Sequence, residues 1–97
     1  VSGYNVYPRE IDEVLYLHAD VSDAATVGIL DKYRGEVICA CVKLHNGSTL
    51  TSQDLISFCE KHLASYKVPT QIDIVDEVPK TTVGKIDKAA VKKLLAS

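Results

Sequence analysis

Residues 37–44 limit the possible folds most strongly, because they form a nearly continuous apolar run between two turn signals. A polar segment at residues 31–36 precedes the run, and an Asn-Gly pair at residues 46–47 follows it. The run is too short for most helices and is rich in residues that favour strands. Because residues 25–29 alternate apolar side chains with others, we predict an antiparallel strand pair.

Three segments with helical spacing of apolar residues accompany these strands. Residues 8–18 follow this spacing, and Pro8 suits the first position of a helix. Thr51, with Asp54 three residues later, resembles a capping box at the start of a second helix. Asp87 can cap a last helix. The sequence therefore predicts helices at both ends of the chain and one between the strands.

Two further short segments complete the predicted fold. Residues 4–7 are expected to be extended, since Pro8 disfavours a helical conformation at the preceding residue. Residues 72–74 alternate and predict a third strand of the sheet. The predicted order is β-α-β-β-α-β-α, which makes an α+β domain with a small three-stranded sheet and helices packed against it. A length of 97 residues fits one domain, residues 1–97.

The charge of the chain argues against a nucleic-acid partner. The formal net charge is -2, and the lysines near the C-terminus lack the interleaved aromatic residues that stack on bases. Lys88, Lys92 and Lys93 are expected to form a solvated face of the last helix. The adjacent acids Asp12 and Glu13 are expected to point to different faces and to be solvated.

The three cysteines predict buried, reduced thiols rather than a metal or redox site, since the chain has no CxxC motif and its histidines are scattered. No metal site and no nucleophilic triad are predicted. Reduced thiols favour a cytosolic location, and no apolar run is long enough for a transmembrane segment. Because the chain contains no methionine, we expect that it was excised from a longer protein.

The candidate chemistry lies in the segment 79–88, which reads PKTTVGKIDK. Gly84 permits unusual backbone angles and a close approach of a ligand. Lys85 then offers a compact, mobile positive charge in a polar loop just before a helix, which suits contact with anionic oxygens. A lysine at this place can also be an ordinary surface residue. Loops on a rigid scaffold are nevertheless where functional residues concentrate.

Two other segments carry weaker signals. The head of the chain reads SGYNVYPREI from Ser2 onward, and Gly3 between Ser2 and Tyr4 can either form a simple bend or leave room for a ligand. Arg34 lies in a polar turn, where it can serve structure alone or bind an anion.

Together, the head and the tail of the chain resemble the two signature motifs of the C-terminal domain of AMP-forming acyl-CoA synthetases. The resemblance covers residues 2–95, and the head is most similar to bacterial long-chain fatty acid–CoA ligases. Adenylation domains of peptide synthetases differ there. The family motif P-x-T-x-x-G-K-I is matched at Pro79, Thr81, Gly84, Lys85 and Ile86.

This resemblance implies a role for each candidate residue. Lys85 aligns with the catalytic lysine, and Gly84 supports its loop. Ser2, Gly3 and Tyr4 would line the path of the CoA pantetheine arm, and Arg34 would contact CoA phosphates. The implied partners are a fatty acid, ATP with Mg²⁺, and CoA, all shared with an N-terminal domain that lies outside the chain together with the hinge.

The resemblance also implies that the isolated chain is inactive and that the complete enzyme is cytoplasmic, with peripheral membrane association left open. Two alternatives remain at this point. In the first, the enzyme loads an acyl carrier protein instead of CoA; in the second, the chain is a non-catalytic binding module whose basic tail binds an acidic partner.

Overall fold

A computed structural model describes residues 6–96 of the chain. A three-stranded sheet has the order β1-β2-β3, in which β1 and β2 are antiparallel and β3 is parallel to β2. The strands are β1 (Val21–Asp31), β2 (Gly35–Leu44) and β3 (Gln71–Ile74), and the helices are α1 (Pro8–Tyr16), α2 (Ser52–His62) and α3 (Lys88–Ala96). This arrangement confirms the predicted α+β class and the antiparallel pair.

The first predicted strand is the main difference from the expected order. Val6 and Tyr7 belong to no strand, and residues 4–5 lie outside the described residues. Tyr7 nevertheless has extended backbone angles, with φ -107° and ψ 117°, as the proline after it requires. Helix α1 ends at Tyr16 rather than at residue 18.

Strand β2 is buried on both faces, and this explains its continuous apolar run. Ala40 and Val42 pack in one hydrophobic cluster with α1 and α2, whereas Cys39 and Cys41 pack in a second cluster with α3. A strand covered on both faces has no solvent side and needs no alternating polar residues. The sheet is therefore the middle of three layers.

Helices α2 and α3 begin with the caps that the sequence predicts. Thr51 accepts from the Asp54 backbone N–H at 3.1 Å, and the Asp54 carboxylate accepts from the Thr51 N–H at 2.9 Å, which completes a capping box. The Asp87 carboxylate accepts from the Ala90 N–H at 3.1 Å at the start of α3. These caps fix where α2 and α3 leave the preceding loops.

Candidate functional site

The segment between β3 and α3 is a tight hairpin rather than an open loop. Lys80 and Ile86 form an antiparallel bridge. Inside it, the Thr81 N–H donates to the Lys85 carbonyl at 2.7 Å, and the Gly84 N–H donates to the Thr81 carbonyl at 2.9 Å. We call residues 79–86 the lysine hairpin. Its internal hydrogen bonds limit how far Lys85 can move.

Gly84 makes the turn of the lysine hairpin possible. Its φ of +84° lies in the left-handed region, which side chains with a Cβ disfavour. Apart from its two chain neighbours, no residue among 6–96 has an atom within 4 Å of the position that a Cβ would take. Gly84 is therefore required for its backbone angle and not for lack of space.

Lys85 follows this glycine and is exposed to solvent. Within residues 6–96, no carboxylate lies within ion-pair distance of its ammonium. Its own N–H contacts the Thr81 hydroxyl at 3.3 Å, so the backbone is held while the charge is available. An exposed ammonium on a fixed hairpin can bind anionic oxygens of another molecule.

Lys80, at the base of the lysine hairpin, is in contrast paired. Its ammonium lies 2.8 Å from the Asp23 carboxylate on β1. Burial alone would raise the pKa of Asp23, but hydrogen bonds from Lys80 and Tyr16 and the Lys80 charge outweigh it and lower that pKa. The pair is therefore fully charged at neutral pH.

The expectation that Asp12 is solvated was wrong. Its side chain is only 20% exposed and lies 3.8 Å from the Lys88 ammonium, because α1 turns this face toward β1 and α3. Burial raises the pKa of the Asp12 carboxyl, and the nearby Thr26 and Lys88 offset this only in part. Within the described residues, neither Asp12 Oδ1 nor the Thr26 hydroxyl has a hydrogen-bond partner.

Lys88 is exposed, as predicted for this face of the last helix, but its ammonium also contacts β1. Its ammonium donates to the Thr26 carbonyl at 2.7 Å, so it ties the first turn of α3 to β1. Asp12, Thr26 and Lys88 line a surface groove of about 560 Å³. The sequence could not reveal this cluster, because its three members come from three separate elements.

Arg34 lies in the turn between β1 and β2, where Asp31 organises the chain. The Asp31 carboxylate accepts from the backbone N–H groups of Tyr33 and Arg34 at 2.8 and 3.0 Å. The Arg34 guanidinium is 3.5 Å from Asp31 and lines a groove of about 340 Å³. Asp31 lies eight positions after Asp23 on β1, so the Arg34–Asp31 and Lys80–Asp23 contacts are roughly 26 Å apart at about 3.3 Å per residue.

Ser2, Gly3 and Tyr4 lie outside the described residues, so their predicted role stays a prediction. Lys85 therefore lies close in sequence to Lys80, Gly84 and Lys88, and Lys80 contacts Asp23 near the start of β1. Arg34 contacts Asp31 at the opposite end of this strand. Lys80 and Asp23 were not predicted as functional residues. The one signal in the sequence for this pair is that Lys80, a basic residue, directly precedes Thr81 of the family motif.

The sequence model of the AMP-binding enzyme C-terminal domain matches residues 10–85 of the chain. The chain belongs to this family. The predicted resemblance is therefore confirmed, and the match extends from α1 to Lys85 in the lysine hairpin.

Individual relatives agree with the family. The chain is 44% identical over 86 residues to a long-chain-fatty-acid–CoA ligase from Yersinia pestis, covering 89% of the chain and 15% of that protein. It is 44% identical over 93 residues to a 2-succinylbenzoate–CoA ligase from a Geobacillus strain, covering 96% of the chain and 19% of that protein. The chain thus spans less than a fifth of these relatives.

A solved structure has the same fold. An amide bond synthetase from Marinactinospora thermotolerans superposes with a TM-score of 0.88 at 37% identity, covering 94% of this chain and 18% of that one. An acyl-CoA synthetase from Brucella canis gives a TM-score of 0.87 at 36% identity, covering 98% and 18%. An amide bond synthetase and an acyl-CoA synthetase therefore both contain this fold.

Residues 6–96 contain neither a candidate metal site nor a candidate membrane-spanning helix. No group of three or more His, Cys, Asp or Glu side chains there could hold a metal ion. No helix among these residues is both long and apolar enough to cross a bilayer. All three cysteines are buried and free, as predicted.

Proposed function

We propose that residues 1–97 are the mobile C-terminal domain of an AMP-forming fatty acid–CoA ligase. The complete enzyme would join a fatty acid to ATP, giving acyl-AMP and pyrophosphate, and then transfer the acyl group to CoA. The observation that carries the proposal is Lys85, which is exposed and without an ion-pair partner within residues 6–96 on a fixed hairpin of a domain of this family.

In the first step, a carboxylate attacks the α-phosphorus of ATP, so two anions approach each other. The Lys85 ammonium contacts both the carboxylate and the phosphate oxygens, which reduces their repulsion and fixes the direction of attack. Lysine acts here as a point charge and takes no proton from the substrate. Losing such a contact typically lowers the rate by about 10²–10³-fold.

In the second step, the domain rotates as a rigid body and withdraws Lys85. Ser2, Gly3 and Tyr4 then line the path of the pantetheine arm, and Arg34 contacts the phosphates of CoA. The Lys80–Asp23 and Arg34–Asp31 contacts lie roughly 26 Å apart along β1. This distance supports the proposal that the two ends of β1 face the active site in different orientations of the domain.

The remaining partners belong to the complete enzyme. The fatty acid, ATP and CoA would be shared with an N-terminal domain outside this chain. Because residues 6–96 contain no metal-binding group, they do not fit a resident Mg²⁺, and Mg²⁺ would arrive bound to the nucleotide. Three buried free thiols support a cytosolic location. We propose no nucleic-acid partner.

A fatty acid is favoured as the substrate because four long-chain-fatty-acid–CoA ligases are among the relatives at 44% identity. The 2-succinylbenzoate ligase reaches the same identity, so the choice of acid would be made by the missing domain. The similarity to an amide bond synthetase keeps acceptors other than CoA as an alternative, including an acyl carrier protein.

The test compares wild-type full-length protein with Lys85→Ala in two separate half-reactions. One is pyrophosphate exchange into ATP driven by a fatty acid, and the other is thioester formation from preformed acyl-adenylate and CoA. We expect exchange to fall by about 10²–10³-fold and thioester formation to be largely retained. The matched control is Lys93→Ala, which removes an exposed lysine of α3.

Four results would contradict parts of the proposal. Full exchange activity in Lys85→Ala would make Lys85 an ordinary surface lysine. Transfer to a carrier protein but not to CoA would identify the alternative acceptor. Thioester formation by the 97-residue chain alone would disprove the division of the site between two domains. Salt-dependent binding of the chain to nucleic acid would favour the binding module instead.

A further inference from the structure

A charged contact attaches the lysine hairpin to the sheet beside its bridge. Lys80, which pairs with Ile86 across the hairpin, places its ammonium 2.8 Å from Asp23 Oδ2. The Asp23 side chain is only 14% exposed, whereas Lys80 is 43% exposed. A mostly buried carboxylate is a fixed acceptor, so it defines where the base of the hairpin lies.

Asp23 is itself held from the other side by α1. The Tyr16 hydroxyl donates to Asp23 Oδ1 at 2.6 Å, and the Ala24 N–H lies 3.1 Å from both Asp23 Oδ1 and the Tyr16 oxygen. The strand is irregular between Val21 and Asp23. Each carboxylate oxygen of Asp23 therefore has its own partner, one from α1 and one from the hairpin.

Just after the lysine hairpin, the chain is attached to the same strand a second time. Lys88, three residues after Lys85, donates to the Thr26 carbonyl on β1 at 2.7 Å. The two attachment points on β1 are thus Asp23 and Thr26, and Lys85 lies between the two lysines that reach them. This geometry restrains both ends of the segment that carries the free ammonium.

We propose that Lys80, Asp23 and Tyr16 are positioning residues that hold the Lys85 ammonium in the orientation needed for adenylate formation. This inference rests on the proposed function. None of the three contacts the reacting atoms; each acts through the hairpin backbone. Because a displacement of 1 Å can lower a rate by about 10²-fold, loosening the hairpin is expected to slow the first step and to spare the second.

The experiment measures both half-reactions in the full-length protein for Lys80→Met, Asp23→Asn and the double variant. We expect each single variant to lower kcat for pyrophosphate exchange by about 10-fold, within the range for misplacement, with little change in KM for ATP. The double variant should be no slower than the slower single variant, since both remove one contact. Thioester formation should stay near the wild-type rate.

Two further variants separate this role from a general structural one. Lys80→Arg keeps the charge and should restore most of the exchange activity. Tyr16→Phe removes one donor to Asp23 and should give a smaller loss than Asp23→Asn. Lys61→Met is the matched control, because Lys61 is an exposed lysine on α2, and it should leave both half-reactions unchanged.

Other results would overturn the inference. Wild-type exchange in Asp23→Asn, with a loss in Lys80→Met, would mean that Lys80 contacts substrate directly. Multiplying losses in the double variant, or equal losses in both half-reactions, would mean that the pair only stabilises the fold. If Lys85→Ala leaves pyrophosphate exchange intact, the proposed function itself fails. If Lys85→Ala lowers exchange but the Lys80 and Asp23 variants leave it intact, only this inference fails.

Discussion

Lys88 lies beside the Asp12 carboxylate at 3.8 Å but donates its hydrogen bond to the Thr26 carbonyl at 2.7 Å. The mostly buried Asp12 therefore has a positive neighbour without a close hydrogen bond to it. The charged form of Asp12 is therefore disfavoured relative to the neutral form, because burial has the largest influence on the pKa of this carboxyl and raises that pKa.

Asp12→Asn is expected to stabilise the chain at neutral pH by about 1 kcal/mol, the usual size of a hydrogen-bond effect on stability. The amide removes a partly buried charge, and its NH₂ group can donate to the Thr26 hydroxyl, which has no partner within residues 6–96. Urea unfolding of both proteins at pH 7 measures the difference in the free energy of unfolding.

The pH dependence of this difference follows from the raised pKa of Asp12. Between the unfolded pKa near 3.8 and the higher folded pKa, the native state binds more protons, so wild-type stability falls as pH rises. The advantage of Asp12→Asn should therefore shrink as pH falls toward 3.8. An advantage that grows on acidification would contradict the assignment of the pKa direction.

Lys88→Met is expected to destabilise the chain by about 1 kcal/mol, because the Thr26 carbonyl loses a charged donor and Asp12 loses its positive neighbour. The effect is small because the Lys88 side chain is 47% exposed, so water screens its charge. Lys93→Met, on the same helix and exposed, is the control and should change little. Equal effects of the two substitutions in urea unfolding would argue that the Lys88 contact is unimportant.

Gly84→Ala is expected to destabilise the chain by about 1 kcal/mol, since alanine is strained at positive φ. Gly47 has a similar φ of +88° and the same open surroundings, so Gly47→Ala should cost about as much. On the proposed function, only Gly84→Ala should also slow pyrophosphate exchange. Similar losses of exchange in both variants would show that the strain acts through overall stability.

The three cysteines are expected to resist thiol reagents in the folded chain. Burial raises the pKa of Cys41 and of Cys59 to about 11, and it also raises that of Cys39. A pKa near 11 lowers the thiolate fraction at pH 8 by about 10²-fold relative to the unfolded chain. Reaction with a disulfide reagent, followed with and without urea, measures this; rapid labelling of native protein would contradict it.

Local patterns predicted the elements of this fold well. The apolar run of β2, the Thr51–Asp54 capping box and the Asp87 cap each depend on residues close in sequence, and all three are present. The exposed position of Lys85 also agrees with its place in a polar loop. Such features are accessible to sequence analysis because neighbouring residues determine them.

Contacts between elements were not accessible in this way. Asp12 was expected in solvent because it is charged and adjacent to another acid, yet the packing of α1 against β1 partly buries it. The Lys80–Asp23 contact spans 57 positions of sequence, as the two residue numbers show. Charge alone does not indicate which of several carboxylates a lysine will approach when the chain folds.

The length of β1 has a consequence for how such ligases can diversify. Residues that act at opposite ends of one strand, roughly 26 Å apart by strand rise, are distant enough for the effects of substitutions to be largely additive. On the proposed roles, the turn that carries Arg34 can change with the acceptor while the lysine hairpin keeps its chemistry. Substitutions near Arg34 could then change which acceptor is used without lowering the rate of adenylate formation.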